Sequence, residues 1–363
     1  MNSEIYNFSA GPAMIPKKVL NIISKNIKNW NNLGVSIIEI SHRFKDFIDM
    51  FETAKKNLKK IMNIPENYKI LFCSGGARAQ FYAVPMNLLN TTHTANYINS
   101  GYWSKSAFIE SQRLCSSKLI NVRRIKDGKH SILPMQDWKI NNKTSYIHYC
   151  QNETIEGISI YERPNFNKSI AVIADFSSSI LSRKINIKDY GIIYASAQKN
   201  IGPSGVTIVI IREDLIKTCN KHCPSILNYQ TILKNKSMFN TPVTFSLYVA
   251  SLVFEWIKKM GGIKEIEKIN EKKSNLLYKT IDDSSLYTNS IAKKNRSSMN
   301  VSFFLKDERL NELFLKKTHK NGLLFLKGHS SIGGMRASIY NAMTFNGVKK
   351  LSQYMKYFEK KYG

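Results

Sequence analysis

ASAQKNIGPSGVTIVIIR, residues 195–212, decides the reading of this chain. It leaves one apolar run, GIIYAS (191–196), and enters another, TIVIIR (207–212). Runs that are apolar at successive positions suit strands covered on both faces, as in a mostly parallel sheet. Between them Lys199 precedes the tight turn GPSG. A lysine enclosed between two buried strands is hard to read as one more solvated cation, because buried lysines are rare and tend to carry chemistry.

Toward the N-terminus, strand candidates recur in KILFC (69–73), ANYI (95–98), SYIHYC (145–150) and AVIAD (171–175), separated by helical patterns or loops. PKKVLNIISKNIKNW (16–30) starts a helix at Pro16 with apolar positions Val19, Ile23, Ile27 and Trp30, and FIDMFETAKKNLKKIMNIP (47–65) is a second amphipathic helix closed by Pro65. The alternation defines an α/β fold. FSLYVASLVFEWIKKMGG (245–262) reads as a long helix stopped by Gly261 and Gly262. Beyond it come a charged helix (262–281), a half-buried strand alternating Met299, Val301, Phe303 and Leu305, the helix ERLNELFLKKTHKNG (308–322), the strand LLFLKG (323–328) and a C-terminal helix from Val348. These form a small α+β domain. Since single cores stop growing near ~250–300 residues, the 363 residues are expected to divide into a large domain, 17–267, and a small one made of 1–16 with 268–363.

The composition bounds the function. No stretch approaches the ~18–20 apolar residues of a membrane span, and MNSEIYNFSAGP lacks the basic start and apolar run of a secretory signal, so a cytoplasmic location is expected. Five scattered cysteines suit free thiols in a reducing compartment. CNKHC (219–223) lacks a second ligand pair at zinc-like spacing, and no metal is expected. The net charge of +28 raises nucleic-acid binding as a rival function. However, the lysines are spread along nearly every segment without the arginine-and-aromatic clusters that read or stack bases. Solvated faces, with some steering of acidic substrates, describe them better.

Three features share a spacing that one cofactor explains. KILFC runs into Ser74, Gly75, Gly76, Ala77 and Arg78, where glycines and a helix start offer backbone N–H groups to an anion. Asp175 ends AVIAD, and Lys199 lies just past the next strand; both can face the crevice at strand ends where α/β sheets bind ligands. Pyridoxal 5'-phosphate asks for this set: an amine for its aldehyde, a carboxylate for its ring nitrogen and a helix N-terminus for its phosphate. Taken singly, each has a plain alternative as a strand-end acid, a surface lysine or a glycine turn.

The chain also resembles the phosphoserine aminotransferases, a class V pyridoxal-phosphate-dependent family. The resemblance is carried in collinear order by NFSAGPAMIP (7–16), ISHR (40–43), CSGGARAQF (73–81), NSGYW (99–103), HYCQNETIEG (148–157), ADFSSSILSR (174–183), SAQKNIGPSG (196–205), NTPVTF (240–245) and KGHSSIGGMRASIYNAM (327–343). It implies a fold-type I transferase with a mostly parallel seven-stranded sheet, and a homodimer with active sites at the subunit interface. The implied reaction moves the amino group of glutamate to 3-phosphohydroxypyruvate in serine biosynthesis. The same family also often acts on 4-phosphohydroxythreonine in pyridoxine biosynthesis. Another enzyme of this fold with a different substrate is the alternative.

Carried over by motif, Lys199 would bond the cofactor aldehyde and shuttle the proton, and Asp175 would pair with the ring nitrogen. Trp103 would stack on the ring, and Thr154 would hydrogen-bond its hydroxyl. Ala77, Arg78 and Gln198 would hold the phosphate, joined by Asn240 and Thr241 of the partner subunit. Arg336 would take the substrate α-carboxylate, while His42, Arg43 and His329 face the distal anion, with Ser9 nearby. Two positions depart from the family pattern. Ser330 stands where an arginine is usual, a loss of about 1.5–3 kcal/mol if that arginine bonds phosphate. Gln151 stands where CPNET is common, and a slight shift of the loop before Thr154 is expected from it.

Overall fold

The computed structural model describes residues 4–89, 94–216, 219 and 222–363. Residues 1–3 of the N-terminal segment and 220–221 of CNKHC lie outside them. In chain order, helices α1 (Lys17–Asn26) and α2 (Lys45–Ile61) precede strand β1 (Tyr68–Ser74) and helix α3 (Gly76–Leu88). Then come β2 (Thr94–Asn99), α4 (Tyr102–Ser111), β3 (Ser116–Asn121), β4 (Tyr146–Cys150), β5 (Ala171–Asp175), β6 (Ile192–Ser196) and β7 (Val206–Arg212). Helices α5 (Thr244–Lys259) and α6 (Gly262–Asp282) lead to β8 (Asn300–Leu305), α7 (Asn311–Lys320), β9 (Met335–Ser338) and α8 (Phe345–Tyr362).

The seven strands β1–β7 form one sheet in the order β1-β7-β6-β5-β4-β2-β3. Only β7 runs against its neighbours β6 and β1; the other pairings are parallel. Strands β4, β5 and β6 are buried at every residue, which is why their sequences are apolar without alternation. The direction matters for function. The carboxyl ends of β1, β4, β5 and β6 reach the same edge, placing Ser74, Cys150, Asp175 and Ser196 in a row, with Asp175 level with Tyr194 and Cys150.

Two apolar clusters cover one face each of this sheet, and a third gathers around β8, β9, α7 and α8. Helix α6 joins two of them: Ile263 and Ile266 pack with the sheet-side cluster, Leu277 and Ile281 with the C-terminal one. Residues Tyr6 and Phe8 of the N-terminal segment also enter the C-terminal cluster, where Tyr6–Asn7 pairs in parallel with Leu323–Leu324.

Four local expectations are corrected. Helix α1 ends at Asn26, so Ile27 is a cap residue, 38% exposed, and Trp30 reaches the core from a separate helical turn. Helix 245–262 stops at Lys259, and Gly262 opens the next helix instead of closing this one; Gly261, at φ +93°, makes the bend. LLFLKG is a strand at Leu323–Leu324 with a lone bridge from Lys327 to Met335, because Phe325 takes a left-handed backbone and turns the chain. Strand β8 is not half-buried: Asn300 and Ser302, the polar face of its alternation, are buried too. They bond inward, Ser302 Oγ to the Ile155 carbonyl and Asn300 Nδ2 to Ser338 and Tyr340, so the polar face is a second packed face.

Among the described residues no helix is long and apolar enough to cross a membrane, and no cluster of His, Cys, Asp or Glu could hold a metal ion.

Candidate active site

A cavity of about 270 Å³ opens at the carboxyl edge of the sheet, lined by Gly75–Arg78, Trp103, Cys150, Asn152, Thr154, Asp175, Ser177, Ser178, Ser196, Gln198 and Lys199. Nine residues singled out in the sequence thus meet at one site: Gly75 to Arg78, Trp103, Thr154, Asp175, Gln198 and Lys199. Lys199 is half-buried and lines the cavity. Its Nζ donates to Thr154 Oγ1 at 2.6 Å. Burial pulls the amine down to about 8, against the opposing pull of the Asp175 charge. Asp175 is 7% exposed and accepts the Ser177 N–H at 2.8 Å. Burial pushes its carboxyl above the usual range, while the Ser177 bonds pull it back.

The floor of the cavity is the start of α3. Gly75 and Gly76 both have left-handed backbones (φ +99° and +72°), and a Cβ on Gly75 would stand 2.9 Å from that of Ala79. Among the described residues no side chain caps this helix and none in its first turn is acidic, so its leading N–H groups face the cavity as an anion cradle. The Arg78 guanidinium lies 5.3 Å from the centre of the Trp103 ring. The indole Nε1 is buried and has no hydrogen-bond partner among the described residues.

The substrate-side residues are less gathered. Arg336, on β9, is close enough for its charge to depress Lys199, and its Nε is buried without a partner among the described residues. His329 stands 5.6 Å from the ring of Tyr102, with Nδ1 held by Ser331 Oγ at 2.7 Å. Ser9 belongs to the N-terminal segment that lies against Gln198 and Lys199: Ala13 N–H donates to the Gln198 carbonyl, and a Cβ on Gly11 would sit 3.3 Å from both side chains. Ser330 is exposed. His42, Arg43, Asn240 and Thr241 do not line the cavity of their own chain; Arg43, Asn240 and Thr241 are exposed, and His42 is half-buried. Exposed apolar side chains surround both segments, Val35, Ile38 and Phe44 in one, Ile226, Phe239 and Val243 in the other.

Sequence reading missed the polar wall behind the site. His148 Nε2 and the Tyr194 hydroxyl are 2.8 Å apart, both buried, and Tyr194 is the register partner of Asp175 on the neighbouring strand. Burial drives His148 down to about 3, so it is neutral. The signal existed in the polar letters of SYIHYC and GIIYAS, but only the strand register brings them together. Gln151 is buried, with Nε2 on the Ile160 carbonyl and its side-chain oxygen accepting from Ser179, while its N–H donates to the Asp175 carbonyl.

A sheet-edge crevice with an enclosed lysine, a strand-end acid and an uncapped helix start defines a class of aminotransferase. The family model of aminotransferase class-V matches residues 5–351. Phosphoserine aminotransferases of Buchnera aphidicola subsp. Acyrthosiphon pisum (strain Tuc7) and of Buchnera aphidicola subsp. Schizaphis graminum (strain Sg) are 58% and 59% identical over 359 residues, 99% of each chain. Among solved structures, phosphoserine aminotransferase from Bacillus circulans subsp. alkalophilus superposes with a TM-score of 0.94 at 37% identity, covering 99% of both chains. A pyridoxal-phosphate-bound phosphoserine aminotransferase from Trichomonas vaginalis gives 0.91 at 37%, covering 97% of this chain and all of that one. The chain belongs to the phosphoserine aminotransferase family.

Proposed function

We propose that this chain, as a cytoplasmic homodimer with pyridoxal 5'-phosphate, transfers the amino group of glutamate to 3-phosphohydroxypyruvate, yielding 2-oxoglutarate and phosphoserine. The observation that carries the reading is the meeting of Lys199 and Asp175 over an uncapped glycine-rich helix start in one cavity. The residues fit the cofactor: the helix start at Gly75–Gly76, in left-handed backbone and free of a side-chain cap or acid, suits a phosphate, and the unpartnered Trp103 Nε1 and Arg336 Nε lack the acceptors that bound anions bring. When bound, that group supplies a carbonyl carbon for the amine and a ring that withdraws electrons.

The protein residues do the rest. Lys199, lowered to about 8, has a share of neutral amine at physiological pH and serves as the base that moves a proton at the substrate Cα. Thr154 Oγ1 holds the lysine in place. Asp175 keeps a proton on the ring nitrogen and is itself held by Ser177. The planar fork of Arg336 suits an α-carboxylate, while His329, His42, Arg43 and Ser9 serve the distal anion. His42, Arg43, Asn240 and Thr241 enter from a second subunit, a reading supported by their absence from their own cavity and by the exposed apolar side chains beside them. The same reading keeps the domain division at 17–267 against 1–16 with 268–363, across which α6 runs. Five free thiols suit a reducing compartment.

An absorbance spectrum of the purified protein tests this. Glutamate should abolish the near-visible band, and 3-phosphohydroxypyruvate should restore it. A colourless protein after soaking in the cofactor, or a band indifferent to both, would overturn the proposal.

A further inference from the structure

Helix α4 begins at a buried place, and its first turn carries Trp103. Its leading N–H groups are not met by a residue of its own chain segment. They are met by two carboxylates from the loop that holds Thr154. Glu153 is fully buried: its Oε2 accepts the Trp103 N–H at 2.9 Å, and its Oε1 accepts the Ser104 N–H at 2.9 Å and the Ser100 hydroxyl at 3.1 Å. Glu156 Oε1 accepts the Tyr102 N–H at 2.8 Å, and its Oε2 is buried with no partner among the described residues. Gly101 makes the approach possible, since a Cβ there would stand 2.7 Å from atoms of both side chains. The backbone of Gly101 is extended, so the need for glycine is one of space.

We infer that Glu153 is the positioning residue of this site, a clamp by which the Thr154 loop sets the first turn of α4 and so the plane of Trp103, with Glu156 as its proton-bearing neighbour. One side chain thus ties together two walls of the cavity that are 51 positions apart in the chain, Trp103 and Thr154. The division of charge follows from the donors. Burial raises the Glu153 carboxyl, but its three donors pull it back, as suits a carboxylate at a helix N-terminus. Glu156 has one, and its orphan oxygen is satisfied by becoming a hydroxyl. The groups facing Glu156 are Glu153, Arg123 of the strand 123–126 and Cys150. Burial, then the charge of Glu153, pushes Glu156 up to about 7, and Arg123 opposes this weakly. Above that pH a second negative charge enters the clamp, and the two carboxylates repel.

The test uses cofactor-free protein labelled with 5-fluorotryptophan. The four tryptophans, Trp30, Trp103, Trp138 and Trp256, give four fluorine resonances, and Trp103→Phe assigns the one that matters. Glu153→Gln turns an amide donor toward backbone donors. It should displace or broaden the Trp103 resonance while the other three stay put, and weaken pyridoxal phosphate binding by about tenfold, the scale of one charge-assisted contact. In the unsubstituted protein the Trp103 resonance should titrate with a midpoint near pH 7, and Glu156→Gln should remove that titration. An unmoved Trp103 resonance in a folded Glu153→Gln protein overturns the clamp. If Glu153→Gln does not fold, Glu156→Gln decides: loss of the midpoint supports the clamp and its persistence overturns it. The affinity arm rests on the cofactor reading above; the resonance arm does not, so the two can fail separately.

Discussion

The cofactor end of the cavity and its substrate end are built by different means. Lys199, Asp175 and Thr154 sit at or just past the ends of short strands whose register is set by a buried sheet and its backbone hydrogen bonds. Arg336, His329 and Ser9 come from the C-terminal and N-terminal segments, and His42 and Arg43 from a surface turn. The first group is organised before any ligand arrives, whereas part of the second depends on neighbours. Binding free energy spent on ordering is not available for catalysis, so substitutions at the cofactor end should act on turnover and those at the substrate end on KM.

The largest effect belongs to Lys199→Ala. Turnover should fall at least about a thousandfold, within the range that positioned acid–base groups supply, with the melting temperature little changed or raised, since a buried cation is removed. The amine also makes a pH prediction. Its pKa of about 8 lies below that of a free lysine, so below pH 8 it is the unreactive ammonium and above it the free amine. The rate of cofactor capture by cofactor-free protein should therefore climb with pH and level off above about 8. Because the Asp175 charge raises the lysine, Asp175→Asn should move that midpoint lower. A flat profile would place the amine outside the buried crevice.

Asp175→Ala comes next. Loss of the carboxylate should lower kcat by about a hundredfold or more, the scale of removing one preorganised electrostatic group, with a smaller change in substrate KM. Tyr194, bonded to His148, lies beside this carboxylate in the strand register; Tyr194→Phe should reproduce a fraction of the loss, roughly tenfold, by removing a buried polar neighbour of a charged group. Wild-type turnover in the alanine variant would dissolve the distinction between the two ends. For Arg336→Lys the contrast predicts the opposite pattern: KM for glutamate up by about tenfold as a bidentate contact becomes a single one, with kcat changed less.

How much of this was legible in the sequence follows the same division. The strand ends could be read because burial on both faces writes itself as unbroken apolar runs, and GIIYAS and AVIAD place Lys199 and Asp175 without knowledge of sheet order. The order itself, with β7 reversed between β1 and β6, leaves no trace in periodicity. Nor does the pairing of His148 with Tyr194, which depends on which strands are neighbours. Asn300 and Ser302 misled by the usual logic that polar alternation faces water; they face the Thr154 loop instead. Glu153 was in plain view within NETIEG, but its partner, the start of α4, lies 50 residues earlier at Trp103 N–H. No local pattern joins them. The substrate residues were legible only through resemblance, because a single histidine or arginine at a loop or strand end carries no local signature of its ligand.

Ser330 offers the smallest and sharpest test. It is exposed and follows His329, whose ring is held by Ser331, at the position where the family usually has an arginine. Ser330→Arg adds a cation at the rim without disturbing the sheet, so nothing at the cofactor end should change: the spectrum and the kcat with saturating substrates should stay as they are. If the rim reads the phosphoryl group, KM for 3-phosphohydroxypyruvate should fall by about three- to tenfold, less than the full value of a charge-assisted bond, because a solvated arginine must be ordered to make it. KM for glutamate should fall less, since a distal carboxylate carries less charge than a phosphate. Raising the salt should erase much of the gain, as screening requires of an exposed cation. An equal gain for both substrates would mean that the added charge steers anions generally; no gain would mean that the phosphate is gripped elsewhere, with Ser330 a neutral replacement.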